Sequence, residues 1–273
     1  MDSRPHITLS EAAERLNVHY MTAYRYVRTG RLTARQESRR WTVAVSDLRA
    51  FGPAGRRPRG TGRSASRDQL IDRLVAGDER GAWLVVDAAL ASGMDASGVH
   101  LDLISSALRI IGERWAAGEL SVSAEHRASG VATRLIGRLG PLFAHRGRKR
   151  GTIVVGTAAG DVYALPSAIL ADVLRGARFE VIDLGANTPP DAFARSAGEP
   201  DRLVAVLVGA TSHGHGKALA GAVNAVRDAR RDARILVGGA AVANDGAAAR
   251  LGADGWSGHD ARQAVTPIEA RLR

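Results

Sequence analysis

From residue 150 onward the chain alternates short apolar, β-branched runs with longer helical stretches, and that alternation leaves few folds open. The runs are TIVVGTA, FEVIDLG, VAVLVGA, RILVGGA and, more weakly, DGWSG. Helices are expected between and after them, at 164–175, 190–198, 216–230, 241–251 and 260–272. A strand that is apolar along its whole length is buried on both faces, and strands of this kind separated by helices build a parallel sheet covered on two sides. A doubly wound, flavodoxin-like α/β domain is therefore expected over 149–273. Such sheets bind ligands beyond the carboxyl ends of their strands, at the point where the strand order reverses. The loops there are Gly160-Asp161-Val162-Tyr163, Gly185-Ala186-Asn187-Thr188, Ala210-Thr211-Ser212-His213 and Gly238-Gly239-Ala240. Small residues let a ligand approach backbone, and Ser, Thr and Asp offer hydrogen bonds. Neither GxGxxG nor GxxxxGK[ST] occurs, so a dinucleotide and nucleotide hydrolysis are not expected. A phospho-acceptor domain would want a carboxylate after the third strand, and Gly209-Ala210-Thr211 has none.

Residues 68–148 read as four amphipathic helices joined by short loops, a four-helix bundle: DQLIDRLVAG, DERGAWLVVDAALASG, SGVHLDLISSALRIIGERWAAG and SVSAEHRASGVATRLIGRLGPLFAHR. Trp115 stands near the end of the third helix, and Glu125 and His126 open the fourth, so antiparallel packing brings the three together. Each also has a purely structural explanation. Trp115 could fill the core, Glu125 could be a first-turn acid favoured by the helix dipole, and His126 could lie on the surface.

Residues 1–51 have a different character. Thr8-Leu-Ser-Glu11 fits a capping box opening a helix. A second helix, HYMTAYRYVRTG, ends at Gly30. Met21, Tyr24 and Val27 are expected to face the core, leaving Thr22, Arg25, Tyr26 and Arg28 outward. RLTARQESRRWTVAV then reads as a β-hairpin wing, with Trp41 at its base and Arg39 and Arg40 facing a DNA backbone. The fold expected here is a winged helix-turn-helix (α+β), followed at 52–67 by a flexible Gly/Pro/Ser/Arg linker. Charge follows the same division. Residues 1–67 carry 14 arginines against 5 acids, whereas 68–273 carry 24 basic and 23 acidic residues. A local excess of this kind favours a polyanion. The chain has no cysteine, which excludes disulfides, thiolate zinc sites, iron–sulfur clusters and cysteine nucleophiles. With no membrane-length apolar run and no signal peptide, a cytoplasmic protein without a membrane partner is expected.

The segments SEAAERLNV, TAYRYVRTGRL, RRW and VSDLRAF resemble the winged helix-turn-helix of the MerR superfamily, especially its excisionase-like branch. The order of winged helix, bundle and flavodoxin-like domain is similar to the CarH/LitR-type photoreceptor regulators, which use adenosylcobalamin, and residues 68–273 look like the cobalamin-binding module shared with methionine synthase. That resemblance implies that Trp115, Glu125 and His126 lie over the upper face of the corrin. It implies that Ser212, Gly238 and Gly239 contact the nucleotide tail of cobalamin. The lower-ligand motif of the family, Asp-x-His-x-x-Gly, here reads Asp161-Val-Tyr163-Ala-Leu-Pro166. Tyr163 stands where the family keeps the cobalt-ligating imidazole, and a neutral phenol is a poor donor beside it. Three outcomes stay open: cobalamin with its own base on cobalt, a substitute histidine such as His213 or His215, or a changed or lost ligand. The pair of histidines in SHGHG is weak evidence for a separate metal site. Ala116 takes the place of a histidine that some light-sensing relatives use to trap cobalt.

The function expected from these readings is a non-enzymatic transcriptional regulator. Its partners would be double-stranded operator DNA, a small ligand (most readily a corrinoid such as adenosylcobalamin) and copies of itself in a dimer or tetramer. Two alternatives stand beside it. One is a cobalamin-independent regulator whose module binds another ligand or only oligomerises. The other is the corrinoid-binding subunit of a methyltransferase.

Overall fold

The computed structural model describes residues 5–16, 20–28, 32–37, 40–51 and 61–270. The first unit runs β1 (His6–Thr8), α1 (Leu9–Arg15), α2 (Tyr20–Arg28), β2 (Arg35–Glu37), β3 (Arg40–Ala44) and α3 (Val45–Phe51). Its antiparallel sheet has the order β1-β3-β2, with Ile7 opposite Val43 and Gln36 opposite Trp41. The capping box is present. The Thr8 hydroxyl accepts the Glu11 N–H at 3.3 Å, and the Glu11 carboxylate accepts the Thr8 N–H at 2.8 Å. Leu9, Ala12, Ala13, Ala23, Tyr26, Leu32, Val43 and Leu48 form the core. Tyr26 is therefore not an outward-facing contact residue, as the sequence suggested: at 8% exposure it is packed inside. The inward stripe of α2 runs through Ala23 and Tyr26, with Tyr24 and Val27 at its margins. Ala23, the smallest side chain of that stripe, is fully buried, a cue that a search for large apolar residues passes over. Trp41 does sit at the base of the hairpin, edge-on to Tyr24 at 6.4 Å. Of the other candidate contact residues, Arg39 lies outside the described residues. Thr22, Arg25, Arg28 and Arg40 lie on described elements, but their side chains are not among those described.

Glu11 makes a testable contribution to this unit. The Thr8 backbone N–H, then the Thr8 hydroxyl, hold its carboxyl below the ordinary glutamate value. A carboxyl whose folded-state pKa is lowered stabilises the fold fully above its unfolded value and loses that contribution as pH falls through the folded value. Glu11→Gln is accordingly expected to lower the unfolding midpoint at neutral pH and to bring the two proteins together under acid conditions, as read by thermal melts across pH.

The second unit is a bundle of α4 (Thr61–Ala76), α5 (Glu79–Ala91), a third helix and α8 (Val122–Leu139). The third helix begins as α6 (Ala96–Gly98), passes through a π-helical stretch (Val99–Ile104) and continues as α7 (Ser105–Ala116). α4 starts at Thr61, so residues 61–67 are helical rather than linker. After Pro58 no further proline interrupts the segment, and Arg67 is tied to Asp68 at 3.0 Å and to Ser64 at 3.3 Å. Residues 52–60 of the expected linker lie outside the described residues. Leu70, Leu74, Val86, Leu103, Ile111, Val131 and Leu135 fill the bundle core.

The third unit alternates β4 (Thr152–Thr157), α9 (Leu165–Gly176), β5 (Glu180–Asp183), α10 (Pro190–Gly198), β6 (Leu203–Gly209), α11 (Gly216–Ala229), β7 (Ile235–Gly238), α12 (Asp245–Arg250), β8 (Gly255–Trp256) and α13 (Ala261–Ala270). The five strands are parallel in the order β5-β4-β6-β7-β8, the expected flavodoxin-like arrangement. Successive residues of each strand point to opposite faces. Ile153, Val155, Leu207 and Leu236 pack under α9 and α13, whereas Val154, Val206, Val208 and Val237 pack under α10, α11 and α12. Among the described residues no helix is long and apolar enough to cross a membrane.

The bundle and the α/β unit share a core. Ile169 and Val173 of α9, Ala261 of α13, and Phe143 of the 3-10 turn after α8 all belong to the apolar cluster that fills the bundle. Two polar contacts also cross the seam. His100 Nε2 meets the Asp172 carboxylate at 3.1 Å, and the Arg262 guanidinium donates to Asp102 at 2.7 Å. Both start from the π-helical stretch.

Candidate functional site

The strand order reverses between β4 and β6, and the two loops that leave this point are tied together by one buried carboxylate. Asp161 is 1% exposed. Its carboxylate accepts the Thr211 backbone N–H and, at 2.6 Å, the Thr211 hydroxyl from the neighbouring loop. It also accepts the Tyr163 backbone N–H at 3.1 Å. The Asp161 carbonyl in turn accepts the Thr157 hydroxyl at 2.9 Å and the Asn187 N–H at 2.8 Å. Asn187 adopts φ +53, a left-handed geometry that Asn tolerates better than most side chains, and its amide oxygen accepts the Gly160 N–H at 2.7 Å. Three loops are thus clamped before any ligand arrives.

What this clamp presents outward is apolar and aromatic. Val162 is 69% exposed, and Tyr163 is 43% exposed. Tyr163 opens a short stretch that ends where α9 starts at Leu165, with Pro166 in its first turn. On the third loop the Ser212 hydroxyl lies 3.0 Å from His215 Nε2, and the His215 ring lies against Gly160. Gly238 and Gly239 have a local reason to be glycine. A Cβ on Gly238 would fall 2.1 Å from Ser257 Oγ, and one on Gly239 would fall 2.4 Å from the Ala210 carbonyl oxygen.

The end of the bundle supplies the facing surface. Trp115 closes α7 and is 40% exposed. Ser121 caps α8 by accepting the Ala124 N–H. One oxygen of Glu125 accepts the Ser129 hydroxyl at 2.7 Å, and the other lies 2.9 Å from His126 Nδ1. The end of α8 and the turn after it follow α9: Gly140 stands at Asp172, where a Cβ would be 3.8 Å from the carboxylate, and Phe143 stands at Gly176. The two helices therefore run in the same direction. From that crossing α8 extends back about 22 Å along its own axis to Glu125, whereas α9 returns only about 10 Å to Leu165, so the bundle reaches farther toward the carboxyl-end side of the sheet than α9 does. Trp115, Glu125 and His126 sit at the overhanging end, while Asp161, Tyr163, Ser212, Gly238 and Gly239 lie at the sheet edge below it. A flat, largely apolar ligand with one face toward each would cover the exposed aromatic and aliphatic surface. The loops also offer imidazole nitrogen, the donor type a cobalt centre accepts from protein. The residues present fit a corrinoid.

Thr211 and Asn187 carry much of the clamp; the sequence places both in the strand-end loops but assigns neither a specific contact. The one cue for Asn187 was an Asn following Gly-Ala in a strand-end loop. For Thr211 the cue was a hydroxyl in the loop after the third strand, and what the sequence hid was its partner, 50 residues away.

Comparison with known proteins is consistent with this geometry. Residues 66–139 and 151–266 each match a model described as a B12 binding domain, and residues 7–51 match one described as a helix-turn-helix domain. The chain is 27% identical over 220 residues to trimethylamine corrinoid protein 2 of Methanosarcina acetivorans, a match covering 77% of this chain and 99% of the relative. It is 26% identical over 207 residues to the dimethylamine corrinoid protein of Methanosarcina barkeri, covering 75% of this chain and 96% of the relative. The solved structure of the monomethylamine corrinoid protein of Methanosarcina barkeri superposes with a TM-score of 0.63 at 19% identity, over 76% of this chain and 99% of that one, and so shares the fold. Residues 66–139 and 151–266 make up a cobalamin-binding module, and a cobalamin or corrinoid is its cofactor.

These matches overturn the expectation of a MerR-type transcriptional regulator, resembling photoreceptor regulators and partnered by operator DNA. The relatives are methylamine corrinoid proteins, and three quarters of this chain accounts for nearly their whole length. The regulator expectation drew on the arginine excess and helix-turn-helix pattern of the first quarter. The corrinoid-subunit alternative is the better supported.

Proposed function

We propose that the chain is a corrinoid-binding protein of a methyl-transfer system, holding its cofactor between the bundle and the sheet and presenting it to a separate methyltransferase. The observation that carries this is the clamp on Asp161 facing the overhanging bundle end, within a module matched on both sides of the crevice by B12-binding models. A bound corrinoid supplies a cobalt that accepts and releases a methyl group. The protein's part is positional. Asp161 fixes the loops below, Trp115 covers the face above, and Glu125 and His126 form the polar margin of the overhang. Ser212, Gly238 and Gly239 line the way to the cofactor's tail. Glu125 is oriented from both sides, by Ser129 and His126, and places an acceptor at that margin.

We assign 1–51 to a winged helix-turn-helix fold, 68–148 to the bundle and 149–273 to the α/β domain, with α4 reaching back to Thr61 at the bundle's start. The chain on this reading is a carrier whose catalyst is a partner protein.

Equilibration with hydroxocobalamin, followed by desalting and a visible spectrum, tests the reading. A stably coloured protein is expected, and Trp115→Ala is expected to weaken retention roughly tenfold through loss of apolar cover. A protein that leaves the column colourless would refute it.

A further inference from the structure

The loop that leaves β4 presents a strip of apolar surface. Residues 162–166 read Val-Tyr-Ala-Leu-Pro, and Val162, Tyr163, Ala164 and Pro166 are exposed. The Tyr163 hydroxyl is the one polar side-chain group in the strip. Both ends are fixed. The Asp161 carboxylate takes the Tyr163 N–H at 3.1 Å, and α9 begins at Leu165 with Pro166 in its first turn. A single exposed apolar residue needs no explanation, but a contiguous strip at the point where strand order reverses marks a surface that a ligand covers. Its chemistry suits a flat aromatic group, which can stack on the Tyr163 ring.

A corrinoid with a nucleotide tail carries such a group, and that group is also a nitrogen donor for cobalt. Because it is tethered to the ring, it competes for the metal at a high effective concentration. A protein displaces it by holding a better donor in place, and the imidazoles of the module are engaged or unplaced. His215 has neither nitrogen edge open. Its Nε2 lies 3.0 Å from the Ser212 hydroxyl, and its Nδ1–Cε1 edge lies against Gly160, where a Cβ would stand 3.2 Å from both atoms. His213 is exposed, and among the described residues no hydrogen bond orients its ring, as a ligating imidazole requires. His259 follows β8, three strands and about 14 Å across the sheet from β4, with its ring edge-on to Trp256 at 4.8 Å. His126 is on the bundle face beside Glu125, and His100 is buried on Asp172 in the seam. His145 precedes β4, at the opposite edge of the sheet. Of the other groups, Asp161 is saturated by Thr211 and Tyr163, and a phenol that keeps its proton is a weak donor beside imidazole.

We propose that this protein gives cobalt no ligand from the sheet side: the corrinoid keeps its own base on the metal, and Val162 and Tyr163 form the apolar platform under that base. Tyr163 acts through its ring and not through its oxygen. Ser212, Gly238 and Gly239 are left to meet the ribose and phosphate of the tail. The proposal rests on the corrinoid reading above, and the test separates the two.

The test is electron paramagnetic resonance of uniformly 15N-labelled protein loaded with unlabelled hydroxocobalamin, desalted and reduced to the Co(II) form. An axial 14N splits each cobalt line into three, and an axial 15N splits it into two. The labelled protein is expected to give the three-line pattern, because the nitrogen belongs to the cofactor. Tyr163→Phe is expected to give the same pattern, because the ring remains. Cobinamide, the same ring system without the nucleotide tail, is expected to be retained roughly tenfold less well than cobalamin, through loss of the stacked base. A two-line pattern would place a protein nitrogen on cobalt and overturn the proposal while leaving the corrinoid reading intact. Lines without nitrogen splitting, in the protein or in Tyr163→Phe, would overturn it equally, and equal retention of cobinamide would overturn the platform. A protein that takes up no colour would remove both.

Discussion

Gly239→Ala is expected to destabilise the α/β unit by at least about 3 kcal/mol, enough to leave a large fraction of the chain unfolded at moderate urea. The residue has φ +91, where an L side chain is strained, and its Cβ would stand 2.4 Å from the Ala210 carbonyl oxygen. The obstacle is backbone, which cannot rotate aside as a flexible side chain could. Gly93→Ala is the natural control. Gly93 has φ +94 with nothing within 4 Å of the added carbon, so it reads the backbone strain alone, roughly 1–2 kcal/mol. Urea denaturation of the two variants isolates the steric part, and equal losses would show that β7 and the loop after β6 can separate at little cost.

Asp161→Ala is expected to cost about 3–5 kcal/mol and to reduce cobalamin retention by more than tenfold. The carboxylate is the common acceptor for groups on two loops, and without it the Thr211 and Tyr163 N–H groups lose their partner. Two readouts are needed, since a destabilised protein also binds poorly. Denaturation measures the fold, and retention at low temperature, where the variant remains folded, measures the site. Normal stability with normal colour would mean that the loops hold their geometry without Asp161.

The parallel sheet was legible because its strands are apolar on both faces, as TIVVGT and LVAVLVG show, and only two-sided cover satisfies such strands. The capping box at Thr8 was equally legible, because it is a local pattern with a local cause. Tyr26 was misplaced for want of a local cause. On α2 the stripes through Met21, Tyr24 and Val27 and through Ala23 and Tyr26 are both apolar enough to face inward, and the packing of Val43 and Leu48 decides between them. Residues 61–67 were misread because Ser, Arg and Gly suggest a linker, whereas the apolar face of Leu70 and Leu74 draws the helix backward. At the candidate site, Asp161 and Ser212 could be named from their loops. Thr211 and Asn187 lay in loops the sequence also singled out, but their role did not show, because it is a contact with a distant segment. The function was misjudged where the most distinctive short pattern, the first 51 residues, outweighed the longer one.

The π-helical stretch at Val99–Ile104 sets the phase of everything that follows it on the third helix. His100 and Asp102 are pinned to the sheet side of the seam, so the turn is fixed at its base while Trp115 projects from its far end. Deleting one residue between Ile104 and Trp115 would turn the indole about 100° around the helix axis without breaking either pin. The aromatic cover would then point along the seam or out to solvent. In this protein the aim of a side chain is written as a count of residues from an anchor, and a change of length there matters more than a change of composition.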